Sequence, residues 1–482
     1  MGGGHPGEQF EHHVHDQLRQ QLAGDVHHPI AALAQAHQLE QLPFFVVVGA
    51  GHQSQLPRLE TQRRQHQQIA AIGIVQQQLR QLGLKFAEPE LLQPPSAPVS
   101  AGMAHGRNGP ARCPPVPVES RSRAWPWWPL LPIFPYGRRR TLLRTLVAGE
   151  VWSLEQLQGV FSVAVPIRMT VLRLPQGLLL YAPVAPTAEC LALLRGLEAD
   201  HGPVVTIVHP TSSGLEHKLP VPAMARAFPA AVVWVTPGQW SFPLSLPLPW
   251  LGFPARRTRV LFEQGLPHGD VLAWQALGPV PLGPGPFFEA TVLHRPSGTL
   301  VLTDALVSVS DRRPELLDLE PRPLLYHARD NGREPFHDDE HRRRRGWRRL
   351  VLFANFFQPA CLETVGAWYP FRWRPDWEQH FERFSGGGAL QVPPILEELV
   401  FPRHRERMGA WLRQVAGLEV QRVVPAHFDA PVPATAHDLA RLANAWETGP
   451  RDRDDSVGEG ADRALLRGFN ARLERLGVVP SS

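Results

Sequence analysis

The stretch FFEATVLHRPSGTLVLTDALV, residues 287–307, decides the fold class. Phe287–His294 and Thr299–Thr303 are rich in the apolar and β-branched residues that suit strands. Arg295-Pro296-Ser297-Gly298 between them is tight-turn chemistry. The reading is a pair of adjacent strands whose second member runs out on a carboxylate, Asp304.

Working outward, the same signals recur. Upstream, Thr258–Phe262 and Val271–Leu277 are strand-like, and Arg168–Tyr181 places two apolar runs around Pro175-Gln176-Gly177, a β-hairpin pattern. Thr187–Glu198 has helical spacing at Cys190, Leu191, Leu194 and Leu197. Val204–Val208 is a short buried strand, His217–Phe228 a helix and Ala231–Thr236 a further strand. Downstream, Arg405–Leu418 is an amphipathic helix and Val420–Val424 a strand. This order predicts an α/β fold, a four-layer αββα sandwich of two facing sheets flanked by helices.

Composition divides the chain. All 14 Trp lie at or after Trp125, whereas 18 of the 29 Gln and nine of the 22 His lie at or before Gln93. A segment so poor in large apolar surface cannot offset the entropy of ordering. Residues 1–122, Gln/His-rich and then Pro-rich, are therefore expected to be a poorly ordered N-terminal extension, or residues ahead of the true start; the abrupt break in composition favours the latter. The folded domain is expected over 123–447, with an Arg-rich solvated loop inserted near 329–349 and a loose charged tail over 448–482. Trp125–Tyr136 is aromatic and proline-spaced, which suits an extended arm packed on the core, with a membrane or partner contact as the sharper alternative.

Charge narrows the functions. The net charge is +4, and the basic side is nearly all Arg, with Lys85 and Lys218 the only lysines. That balance points to a GC-rich genome more than to nucleic acid. Cys113, Cys190 and Cys361 are scattered and never form C-x-x-C, so neither a disulfide framework nor a zinc finger is indicated and a cytoplasmic, reducing location fits. No run reaches the roughly 18 to 20 apolar residues of a membrane span. The nearest, Ala231–Pro254, is broken by Pro237, Pro243, Pro247 and Pro249. The G-x-S-x-G elbow and the G-x-x-x-x-G-K-[ST] phosphate cradle are absent.

The blocks LLLYAPVAPT (178–187), IVHPTSSGLEH (207–217), FFEATVLHRPSGTLVLTDALV (287–307) and VVPAHFDAP (423–431) together resemble a cyanobacterial and plastid family described as a domain of unknown function. Its fold is similar to the metallo-β-lactamase superfamily, and the resemblance spans about Trp125–Trp446. It implies a metallo-β-lactamase-like sandwich in a photosynthetic cell. In that superfamily an H-x-H-x-D-H loop, a later His, a bridging Asp and a last His hold two metal ions.

Carried over position by position, the resemblance implies a degraded set. The loop after Val204–Val208 reads His209-Pro210-Thr211-Ser212, without the signature, leaving His209 or His217 as its only candidates. Phe288-Glu289 stands where the later His is expected. Asp304 matches the bridging Asp and His427 the last His. The candidate metal ligands are therefore His217, Asp304 and His427, with His209 and Glu289 as weaker ones, for at most a single zinc or iron ion.

Each has a plainer role to set against ligation: Asp304 as a strand-end acceptor, His427 as a packed histidine, His217 as an exposed or capping residue and Glu289 as a solvent-facing one. Two functions compete. One is a non-catalytic binding or assembly module for a small ligand in the cleft or a protein partner; the other is a single-metal hydrolase. Nucleic-acid processing is the weakest reading, since it too needs the missing metal loop.

Overall fold

A computed structural model describes Arg123 and residues 133–134, 138–160, 163–212, 215–241, 245–283, 285–364, 371–449 and 459–481. The expected N-terminal extension and most of the Trp125–Tyr136 arm lie outside these residues.

The first sheet contains β1 (Ile133–Phe134), β2 (Leu142–Val147), β3 (Val151–Val160), β4 (Val163–Leu174), β5 (Gly177–Tyr181), β6 (Val204–His209), β7 (Val232–Val235) and β8 (Thr258–Val260). Its spatial order is β1-β3-β4-β5-β6-β7-β8, with β2 also on β3. β2 to β5 are antiparallel and β5 to β8 parallel. Between β4 and β5 the chain turns at Pro175-Gln176. Gly177 has a φ of 141°, and a Cβ there would stand 2.0 Å from the Pro203 carbonyl oxygen, so only glycine lets the next crossover approach. All five residues of β5 are buried, as expected of a strand covered on both faces.

Helix α1 (Ala188–His201), capped by the Thr187 side chain, crosses from β5 to β6. Two short helices, α2 (Leu215–Lys218) and α3 (Val221–Ala227), replace the single expected helix between β6 and β7, interrupted at Leu219-Pro220.

The second sheet runs β15-β14-β11-β10-β9, from β9 (Leu272–Pro281), β10 (Pro286–His294), β11 (Thr299–Val301), β14 (Arg422–Val424) and β15 (Val432–Pro433). β10 and β11 pair antiparallel across the Arg295–Gly298 turn.

Three apolar clusters establish four layers. Leu172, Leu179 and Val208 of the first sheet meet Trp274, Val292 and Val301 of the second. Outside the first sheet, Leu178, Leu180 and Ile207 pack on Leu194 of α1 and Met224 of α3. Outside the second, Leu293, Leu300 and Val423 pack on Met408 and Trp411 of α8 (Arg405–Ala416) and on Leu439 of α9 (Ala436–Thr448). The fold is an αββα sandwich.

Two expectations are corrected. The segment near 329–349 is a solvated loop only in its first half, since residues 330–339 are mostly exposed and outside any helix. After α4 (Leu316–Leu319) and α5 (Arg322–Ala328), residues Glu340–Phe356 form helix α6, whose Trp347, Leu350 and Val351 pack on Leu157 and Ala164 of the β3–β4 hairpin. Its arginines are paired rather than bare: Arg342 with Asp339, Arg343 with Asp338, Arg344 and Arg348 with Asp311, and Arg345 and Arg349 with Asp330. Acids at the start of α6 and from earlier segments neutralise the run, which reading the Arg residues alone missed.

Nor is the tail wholly loose. A hairpin, β12 (Leu362–Thr364) and β13 (Phe371–Trp373), leads to α7 (Trp377–Ser385). The last helix, α10 (Glu459–Arg475), docks on this region through Asp462 to His380 Nδ1, 2.8 Å, and through Arg463 to Glu397 and Glu398. Among the described residues no helix is long and apolar enough to cross a membrane.

Candidate metal centre

Register brings the site together. β11 and β14 are parallel neighbours, with Val301 opposite Val424. Three residues past each partner the chain reaches Asp304 and His427, so equal offsets deliver both to one rim. The two exits stay bonded beyond the strands, since Leu302 N–H donates to Val424 O and Ala426 N–H to Thr303 O. His217 arrives from the other sheet, on α2 after β6. Ser212 N–H donating to Phe288 O, 3.0 Å, ties that loop to β10.

One ligand atom from each of His217, Asp304 and His427 lies within 4.8 Å of the others. His217 and Asp304 are buried, and His427 keeps 13% of its side chain exposed. The exposed or capping role weighed for His217 is therefore overturned. His427 Nε2 is 3.3 Å from Asp304 Oδ1, while its Nδ1 is 3.1 Å from Pro166 O. A carbonyl only accepts, so Nδ1 carries a proton, and Nε2 either donates to the carboxylate from a protonated ring or offers its lone pair to a cation. Two acceptors so placed repel unless the ring is protonated or a cation stands between them.

Both nitrogens of His217 are buried without a hydrogen-bond partner. Burial is the main cause that lowers this imidazole to about 4; His427 lowers it further and Asp304 opposes. A neutral imidazole is the form that ligates metals. Burial would raise Asp304, but the two imidazoles outweigh it and hold the carboxyl down. A neutral His, an ionised Asp and a His oriented by a backbone carbonyl form a donor set that fits one zinc or iron ion.

The two weaker candidates fall elsewhere. Glu289 does not face solvent. Fully buried on β10, its carboxylate accepts from the backbone N–H groups of Thr303, Asp304 and Ala305, the last two at 3.1 and 2.9 Å. Those N–H groups are thereby taken from the sheet, which is why β11 stops at Val301 rather than at the expected Thr303. Burial and the Asp304 charge push the Glu289 carboxyl up to about 7, against the pull of its N–H donors.

His209 ends β6, is fully buried and is not part of the three-residue group. Neither of its nitrogens has a hydrogen bond, and Gln239 Oε1, with which it makes only a loose contact, has none either. Burial holds its ring well below the usual imidazole range. Beside His217, Lys218 donates from Nζ to the carbonyls of Ser212 and Trp240.

Reading the sequence missed the support behind His427. Glu155 and Arg168 are register partners on β3 and β4 and form a buried ion pair, Nε to Oε1, 2.8 Å. The Arg168 guanidinium also donates to Pro425 O and Phe428 O. An arginine inside the apolar run 163–174 was the available signal.

The family model described as a domain of unknown function (DUF4336) matches residues 148–445. The chain belongs to this family. No curated protein matches the sequence. Among solved structures, the chain is similar to a mono-zinc metallo-β-lactamase from Pseudomonas aeruginosa, at 12% identity, covering 64% of this chain and 95% of that one, with a TM-score of 0.30. The metal-soaked flavodiiron core from Synechocystis sp. PCC6803 is 10% identical over 71% of this chain and 70% of that one, TM-score 0.35. A diflavin flavoprotein fragment from Nostoc sp. PCC 7120 is 10% identical over 64% and 97%, TM-score 0.34.

Proposed function

We propose that this DUF4336 chain holds a single zinc or iron ion on His217, Asp304 and His427 and works as a binding module rather than as a hydrolase. The observation that carries the reading is the convergence of three ligand atoms around a buried imidazole with no partner of its own. Leaving such a nitrogen unsatisfied costs about 1–3 kcal/mol, and an ion removes that cost for the one nitrogen that ligates it.

The case against hydrolysis is that, among the described residues, the charged groups beside the site are already engaged. A hydrolytic site needs a base in reach of the reacting water. Glu289 spends its carboxylate on three backbone N–H groups, and Lys218 spends its ammonium on two carbonyls. The loop His209-Pro210-Thr211-Ser212 lacks the H-x-H-x-D-H donors, so the site reads as the remnant of a two-metal centre.

One observation favours the alternative, a single-metal hydrolase: three protein ligands leave a tetrahedral ion one open position, where it would act as a Lewis acid.

Metal analysis of protein purified without chelator, beside an Asp304→Ala/His427→Ala double variant, tests the reading. Equimolar zinc or iron, lost in the variant, together with no turnover of β-lactam, phosphodiester or thioester probes, is the expected result. Metal-dependent turnover that disappears in the variant would transfer the site to the hydrolase reading. A folded but metal-free wild type would end both.

A further inference from the structure

The most apolar stretch of the chain, Ala231–Pro254, does not stay in the core. Its first part forms β7, but residues 245–247, 249, 250 and 252 are exposed. Trp250 is 78% exposed, more than any other large hydrophobic residue described, and Leu246 is 36% exposed nearby.

The indole is held out by a built scaffold. Leu248–Leu251 is a single 3-10 turn set by Pro247 and Pro249, closed by Gly252 N–H donating to Pro249 O at 3.0 Å. Phe253 then plugs into the core beneath α3. Arg257 fastens the next segment by donating to the carbonyls of Ala225, Phe228 and Ala231. Exposing a large apolar side chain on a rigid mount forgoes burial that a loop of other composition would not need.

Charge indicates what covers it. Arg226, Arg256 and Arg259 are exposed around this turn, and none forms an ion pair among the described residues. Arg259 donates only to the carbonyls of Arg256 and Thr258. A Cβ on Gly252 would lie 3.7 Å from Arg226 Nη1, which places that guanidinium two residues from the indole. The contrast is with α6, where each arginine of the run has an acidic partner.

We propose that this face docks on an anionic lipid surface. Trp250 sits at headgroup depth, Leu246 enters beside it, and the three guanidiniums pair with lipid phosphates. An indole has an apolar body and a polar N–H, which suits it to that boundary, and arginines extend from their apolar stems to the charge. Charge complementarity selects the anionic bilayer over a neutral one. The inference is independent of the metal centre.

Co-sedimentation of the full chain with phosphatidylcholine vesicles, with and without about one-third phosphatidylglycerol, is the test. Partitioning should be strong only with phosphatidylglycerol and should weaken at high salt. It should fall by about fivefold for each of Arg256→Ala and Arg259→Ala. For Trp250→Ala the fall should be about tenfold. Circular dichroism should show all three variants folded, since the residues are exposed. No partitioning onto anionic vesicles, or partitioning unchanged by Trp250→Ala, overturns the proposal. So does a dimer in solution that Trp250→Ala abolishes, because the occupant is then a second copy.

Discussion

Arg168 brackets His427: its guanidinium donates to the carbonyl of Pro425 on one side and of Phe428, at 3.0 Å, on the other. Two residues earlier on the same strand, Pro166 O accepts from His427 Nδ1. Strand β4 thus sets both the loop and the ring, and Glu155 keeps the buried guanidinium neutralised. Arg168→Met should destabilise the protein by about 3–5 kcal/mol, because it leaves the Glu155 carboxylate buried and unpaired. Adding Glu155→Leu should restore most of that stability but not metal retention, since the clamp is still missing. Urea denaturation and metal content separate the two effects. A double variant that retains metal like wild type would show that the clamp does not position His427.

Glu289 does for Asp304 what Arg168 does for His427. Its carboxylate gathers the three N–H groups that bend the chain off β11. Glu289→Gln keeps the shape but offers one acceptor oxygen, and should cost about 1–3 kcal/mol. Glu289→Ala, which strands all three donors, should cost more and should also lower metal occupancy. Equal stability of the two variants in urea would mean that water satisfies those N–H groups and that the carboxylate is dispensable.

The pH dependence of the metal-free protein follows from His217. Its folded value is about 4, against roughly 6.5 for an unfolded histidine. Above the unfolded value the ring is neutral in both states and contributes nothing. As pH falls through the interval, the unfolded chain takes up a proton that the buried ring refuses, so stability drops and the loss is complete below the folded value. The expected loss is about 3 kcal/mol. In chelator, urea midpoints followed from neutral pH downward should therefore decline more steeply for wild type than for His217→Asn. Parallel profiles would mean that the ring is not held neutral by burial.

Much of the scaffold was legible because it depends on local pattern. Phe287–His294, the Arg295–Gly298 turn and the Leu174-to-Gly177 hairpin carry period and turn chemistry in a few residues. Asp304 and His427 were candidates from the family resemblance, and parallel register accounts for their meeting. What could not be read is contact at long range. The burial of His217 depends on two sheets closing over a four-residue helix. The role of Glu289 depends on a bend after β11 whose N–H groups the carboxylate gathers. The arginines of α6 were read as a charge run because their partners, such as Asp311 and Asp330, lie well back along the chain.

The packing of α6 against α5 turns on one glycine. A Cβ on Gly346 would stand 2.0 Å from the Leu324 carbonyl oxygen, so α5 and α6 approach only because that position has no side chain. Gly196 is also inside a helix, α1, but nothing lies within 4 Å of its added Cβ. Alanine is favoured over glycine in a helix by about 1 kcal/mol at either place. Gly196→Ala should therefore raise the unfolding free energy by about 0.5–1 kcal/mol. Gly346→Ala should lower it by about 1–3 kcal/mol or more, because pushing α5 away loosens the Trp347 and Leu350 packing on the β3–β4 hairpin. Chemical denaturation of both variants reads the difference, and a Gly346→Ala protein as stable as wild type would mean that the two helices do not pack this closely.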